Sequence, residues 1–298
     1  MSWQMRAAAP YLRTTRKRRY ATPARAARVL AAPKSASDPP KALTRRCHAT
    51  RRVVEGFGVY AVRPRGATVL STATVIYLHG GAFVGEIQKQ HWTLIADVAT
   101  TVGVEVCVPI YGLAPQYHAD DAIRLMHKVF GECSASGQTY LMGDSAGGAV
   151  ALSATMSWQE AGGQPPLGLT LIAPCIDLAL RNPAIPAIEV RDPWLTRTGI
   201  LICTRAWAGG LSMDDPRVSP LFGDVSQLPP VDLYVGDRDI TVADCRLLRD
   251  KMPPEKITYH EQPGAVHVYP LLPLPEGRAA RRDMVAHVRT VIAKGARQ

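Results

Sequence analysis

The chain has 298 residues, 47% of them hydrophobic and 20% charged, the proportions of an ordinary soluble globule long enough for one large α/β domain or two small ones. A net charge of +10 suggests nucleic acid or an anionic membrane until it is located: residues 1–52 hold 14 Lys and Arg against one acid, Asp38, so residues 53–298 sum to −3. No apolar stretch of about eighteen residues exists, which excludes a membrane-spanning helix.

The basic leader comes first. Arg18 and Arg19 form a twin-arginine pair, but the YATPARAARVLAAPK that follows is too polar for a signal core, so the expected location is the cytoplasm. An Arg-rich, acid-poor leader also has the composition of a transit peptide, and RKRRY (16–20) suits phosphate or anionic lipid. A solvated face of a leading helix accounts for it better. Its aromatics are only Trp3, Tyr11 and Tyr20, no nucleic-acid motif surrounds them, and no nucleic-acid partner is expected.

From about residue 47 short β-rich runs alternate with helix-length segments. CHATRRVV (47–54) and FGVYAVRP (57–64) read as antiparallel strands around a Glu55-Gly56 turn. TVIYL (74–78), VEVCVP (104–109), TYLMG (139–143), GLTLIA (168–173) and VDLYVG (231–236) are continuously apolar, as strands are when helices cover both faces, and ITYHE (257–261) makes an eighth. Helices are expected over 91–101, 120–131, 146–160, 242–252 and 277–294. The alternation predicts an α/β fold with a mostly parallel, doubly wound sheet. Residues 1–46 and 179–216 break it. The second stretch has a Pro-rich loop and a helix after Asp192-Pro193, and an insertion after a strand's C-terminal end falls over the ligand-binding edge, so the two together are expected to form a lid.

Six cysteines, at 47, 107, 133, 175, 203 and 245, are widely separated, and several are embedded in apolar runs such as VEVCVPI and ILICTRAW, where a free thiol acts as a small hydrophobe. No C-x-x-C, H-E-x-x-H or paired-carboxylate spacing appears, so a reduced protein without metal or organic cofactor is expected.

In a parallel sheet, reactive residues gather beyond the C-terminal strand ends. HGGAF (79–83) follows one strand, Ser145 in GDSAGG a second, Asp237 and Asp239 a third and His267 the last. Their chemistry is complementary. A serine hydroxyl needs a base to take its proton, the imidazole needs a carboxylate to fix its tautomer, and the oxyanion needs donors already in place. Ser145 between Gly143, Gly147 and Gly148 has the composition of a sharp strand-to-helix corner. His260 falls inside the eighth strand and reads as structural, whereas His267 follows Gly264 in a loop. His91 reads as a structural contact near the pocket, and Asp144 as a support of the corner.

These motifs, in this order, resemble the hormone-sensitive-lipase-like esterases, bacterial family IV of the α/β-hydrolase fold. HGGAF looks like the family's HGGG oxyanion motif and GDSAGG like its nucleophile motif; PIYGLAP (109–115), SPLFGDVSQLPPVDLYVGDRDITVAD (219–244) and GAVHVYPLLP (264–273) resemble three further segments. The likeness covers the chain from about Val53 onward. It implies an eight-stranded, mostly parallel sheet covered by helices on both faces, a catalytic domain over 47–298, a cap made of 1–46 and the insertion at 179–216, and a homodimer. It assigns Ser145 as nucleophile, His267 as base and, by the spacing from Gly236, Asp239 rather than Asp237 as acid. Gly80, Gly81, Ala82 and Ala146 form the oxyanion hole. Phe83 and Trp194 are pocket candidates, though an aromatic at either place suits plain core equally well.

The chain departs from the family at Ala82, where a third glycine is commoner, which puts tertiary-alcohol esters in doubt. It also departs at Tyr117 and His118, whose purpose the sequence does not reveal. The expected activity is cofactor-free hydrolysis of short to medium acyl esters of small molecules through an acyl-enzyme. Lipase or amidase action by the same machinery is the alternative, with a non-catalytic ligand-binding protein the remote one.

Overall fold

A computed structural model describes residues 1–66 and 73–296. Eight strands, β1 (Cys47–Val54), β2 (Phe57–Pro64), β3 (Thr74–Leu78), β4 (Glu105–Pro109), β5 (Thr139–Asp144), β6 (Leu169–Ile172), β7 (Val231–Gly236) and β8 (Ile257–Gln262), form one sheet in the order β1-β2-β4-β3-β5-β6-β7-β8. β2 runs antiparallel to β1 and β4, and every pairing from β4 to β8 is parallel. Strands β3, β5, β6 and β7 are buried along their whole length, the result their unbroken apolar runs predict. β8, on the edge, is half-buried and mixed in polarity.

The expected helices form, with shifted ends. The segment at 120–131 runs on as Ala119–Ser136, because Gly131 sits in the helix without crowding, a Cβ there meeting only Trp158 at 3.9 Å, and the next breaker is Gly137, at φ 156°. The last helix begins earlier, at Pro275, whose fixed φ suits a first helical position. The helix Ala146–Glu160 is buried through Met156, and its alanines and glycines let it lie close against the sheet.

The leader is helical too, at Trp3–Leu12 and Pro23–Ala31. Met5 and Leu12 join the core, and Ser2 Oγ donates to Glu276 at 2.8 Å. Farther along, Lys17 Nζ donates to the carbonyls of Glu189 and Asp192 at 2.7 and 2.6 Å, and Thr196 Oγ1 donates to the Tyr20 carbonyl at 2.5 Å. The leader therefore docks on the 179–216 insertion. That insertion carries the helix Arg197–Ala208, capped by Thr196 Oγ1 accepting from Gly199 N and ended by Gly209 in the left-handed region. Of the two departures of the Y-G-L-A-P segment, His118 serves this packing, its Nδ1 3.0 Å from the Ala206 carbonyl, whereas Tyr117 packs edge-on to Phe57 at the start of β2.

Candidate functional site

The corner at Ser145 has the geometry its glycines require. Ser145 adopts φ 50°, ψ −116°, and its amide donates to the Ile172 carbonyl at 2.8 Å. A Cβ on Gly147 would lie 2.1 Å from the Leu78 carbonyl oxygen, and one on Gly143 2.5 Å from that of Gly147. Only glycine permits strand, corner and helix to approach so closely. A strained non-glycine backbone held in this way points a side chain in one direction.

That direction leads to His267. Nε2 of His267 lies 2.9 Å from Ser145 Oγ, and its Nδ1 lies 2.7 Å from Asp239 Oδ2. Asp239 is fully buried and also accepts from the Thr241 amide at 3.0 Å. Burial alone would lower the imidazole's proton affinity, but the carboxylates of Asp239, Asp192 and Asp144, Asp239 foremost, together outweigh it and hold the His267 pKa above the ordinary value. Asp237 faces elsewhere, accepting from the Gly264 amide at 2.7 Å. His260 sits in β8, stacked on Tyr234 and 2.8 Å from Asp232, away from Ser145.

The loop after β3 is equally constrained. Gly81, Ala82 and Phe83 follow one another at φ 135°, 54° and 62°. Val84 and Gly85 amides fold back onto the Gly81 carbonyl at 3.1 and 2.8 Å, while the amides of Gly81 and Ala82 meet no acceptor among the described residues. Ala146 opens its helix, where N–H groups have no intrahelical partner. The Gly80 amide instead donates to Asp144 Oδ1 at 3.0 Å, which makes Gly80 an anchor of this loop.

Asp144 organises the floor. Buried, it accepts from Tyr77 Oη at 2.7 Å and faces His91 Nε2 at 3.4 Å, while His91 Nδ1 accepts from the Gln88 amide. Burial pushes its carboxyl up, and His91, Tyr77 and Gly80 more than reverse that, holding it ionised below its ordinary range. His79 stacks on Tyr111 with its Nδ1 2.8 Å from the Gly80 carbonyl, and burial lowers its pKa to about 4, so it stays neutral.

A cavity of about 350 Å³ opens over Ser145 and His267. Phe83 and Trp194 both line it; Phe83 also stacks on Trp207, and Trp194 packs edge-on against His267 at 5.7 Å. Asp192 is a residue that sequence reasoning missed. It is fully buried and accepts from the amides of Trp194, Leu195 and Ile240 at 2.6, 2.9 and 3.0 Å, joining the insertion to the loop that carries Asp239. Its only signal was an Asp before Pro, which reads as a helix start. Among the described residues no group of three or more His, Cys, Asp or Glu is placed to hold a metal ion, and no helix is long and apolar enough to cross a membrane.

The model of an α/β-hydrolase-fold family matches residues 75–271, most of the chain and all of the site just described. The chain belongs to the hormone-sensitive-lipase-like α/β-hydrolases. Within this group it is 32% identical to LipR of Mycobacterium tuberculosis over 79% of its own length and 78% of that protein's. It is 27% identical to an acetyl-hydrolase of Streptomyces hygroscopicus, over 74% of the chain and 77% of the relative. The fold matches that of an esterase from the bacterial hormone-sensitive lipase family with a TM-score of 0.80 at 21% identity, covering 98% of this chain and 99% of that one.

Proposed function

We propose that this α/β-hydrolase is a serine carboxylesterase in which Ser145 is the nucleophile, His267 the general base and acid, and Asp239 the orienting carboxylate. The observation that carries the reading is the unbroken relay from Ser145 Oγ through His267 to Asp239, at 2.9 and 2.7 Å. Ester hydrolysis as the reaction class agrees with the membership in this hydrolase family and with the names of its relatives.

The chemistry follows from the geometry. As Ser145 Oγ attacks the ester carbonyl, His267 Nε2 takes its proton, and the imidazolium is stabilised by Asp239 against Nδ1. The carbonyl oxygen becomes an oxyanion, received by the N–H groups of Gly81, Ala82 and Ala146; losing one such donor typically costs about 3 to 4 kcal/mol of transition-state stabilisation. His267 returns the proton to the departing alcohol, leaving an acyl-serine. Water, deprotonated by the same imidazole, then releases the acid. Residues 1–46 and 179–216 serve as the cap that excludes bulk solvent from this cycle.

The cavity volume favours small esters of short to medium acyl length over aggregated lipid. Purified protein is expected to hydrolyse p-nitrophenyl butyrate, and Ser145→Ala, folded by circular dichroism, to lose that activity. Undiminished turnover in the variant would overturn the assignment. An acyl series from two to sixteen carbons would measure the depth of the pocket, with a maximum at the short end expected.

A further inference from the structure

The rim of the cavity has an unequal charge. Arg16, Arg19 and Lys34, all from the basic leader, line it together with Ser145, His267 and Trp194, against two carboxylates, Glu86 at the rim and Asp144 in the floor. Neither arginine has a carboxylate within ion-pair distance among the described residues, and Lys34 Nζ donates only to the Leu30 carbonyl, at 3.2 Å. Lys34 is partly buried, which lowers its pKa from the ordinary lysine value. Burial likewise raises that of Glu86, whose Oε2 is buried without a partner, so the rim's one negative charge is weakened.

Arg16 is also held in place. Its guanidinium lies over the Trp194 ring at 5.5 Å, and Trp194 packs on His267 at 5.7 Å, so the guanidinium carbon is at most about 11 Å from the imidazole centre. The next residue, Lys17, is tied to the carbonyls of Glu189 and Asp192, which fixes this turn of the leader against the insertion. A planar donor fork at that distance, positioned by an aromatic face, suits a carboxylate.

Resting on the esterase reading above, we propose that the enzyme's preferred substrates are small esters that carry a carboxylate, received by Arg16 with Arg19 and Lys34 at the mouth of the cavity. The dicarboxylic half-esters are one such class, with one end at Ser145 and the other at the rim. The cations also raise the local concentration of anionic substrate, an effect that salt weakens.

Two matched pairs test this on the full chain, each placing the charge on one side of the scissile bond: mono-p-nitrophenyl glutarate against p-nitrophenyl pentanoate, and 4-acetoxybenzoate against its methyl ester. Variant-to-wild-type ratios cancel the intrinsic reactivity of each ester. In at least one pair, Arg16→Gln and the double variant Arg19→Gln/Lys34→Gln are expected to raise KM for the charged member on the order of tenfold more than for the neutral one. Arg16→Lys should restore part of that difference, and raising the salt concentration should reproduce it in the wild type. Equal losses on charged and neutral members of both pairs would overturn the proposal while leaving the esterase reading standing. Failure of the wild type to hydrolyse any of the four would overturn both.

Discussion

Two histidine–aspartate pairs lie seven residues apart in β7, β8 and the loops that follow them, and they differ in what they can do. His260 meets Asp232 through Nε2 at 2.8 Å in the middle of the strands, its ring stacked on Tyr234 and its side chain 40% exposed. His267 meets Asp239 through Nδ1 at 2.7 Å beyond the strand ends, its side chain 5% exposed, and so keeps Nε2 for Ser145. The residue types are identical. What separates a base from a structural contact is which nitrogen the carboxylate occupies, how dry the pair is and whether a hydroxyl faces the other nitrogen.

The most severe break of the comparison removes the hydroxyl or the base. Ser145→Ala or His267→Ala is expected to lower kcat for p-nitrophenyl butyrate by roughly a million-fold, as in other serine hydrolases, measured on protein with an unchanged melting profile. Next comes Asp239→Asn, which leaves the imidazole in place but withdraws the charge that fixes its tautomer, for a loss on the order of ten-thousandfold. Its pH profile sharpens the contrast. His267 acts as a base when neutral, and Asp239, with Asp192 and Asp144, holds its pKa above 6.5 against burial, so kcat/KM should climb with pH through an inflection above that value. In Asp239→Asn the residual activity should inflect at lower pH, whereas Asp232→Asn should leave the inflection unmoved. A wild-type inflection below 6.5 would contradict the upward shift of His267.

A smaller effect is expected from Asp192→Ala, which leaves the amides of Trp194, Leu195 and Ile240 without their acceptor. Unpaired buried donors cost about 1 to 3 kcal/mol each. Partial rescue by water should hold the total to a few kcal/mol in chemical denaturation, with a loosened Asp239 loop lowering kcat by about tenfold. Burial and the neighbouring Asp239 raise the Asp192 carboxyl to about 6; Asp192→Asn, which can keep the oxygen that accepts from Trp194 and Leu195 but not the one that accepts from Ile240, should be milder than the alanine variant. Smallest of all is His260→Ala, expected to change kcat by less than about twofold while shedding some stability from lost stacking and hydrogen bonding. A large activity loss there would erase the distinction between the two pairs.

Much of the fold is legible in the sequence. The apolar runs that predict strands at 74–78, 139–143 and 231–236 form β3, β5 and β7, because a strand buried on both faces must be apolar throughout. The corner at Ser145 was legible because its steric demand can be met by glycine alone. Helix ends were less so: Gly131 reads as a stop, yet its surroundings leave it room. Asp192 was hidden because its three partners lie at 194, 195 and 240, the last reached only once the insertion folds over the β7 loop. Arg16 and Lys34 read as solvated charge, since nothing local marks their side chains as lining a cavity whose floor is more than a hundred residues away.

The sequence by itself determined the alternation of strand and helix, the tight glycine-bounded corner and the order in which hydroxyl, carboxylate and imidazole follow the strand ends, because each is a local requirement of backbone sterics or hydrophobic burial. The tertiary structure decided which histidine nitrogen faces which carboxylate, that Asp237 turns away while Asp239 turns in, and that the basic leader folds over the cavity instead of into solvent. Those outcomes depend on distances between residues far apart in the chain, and such distances are fixed only when the sheet brings its C-terminal strand ends together.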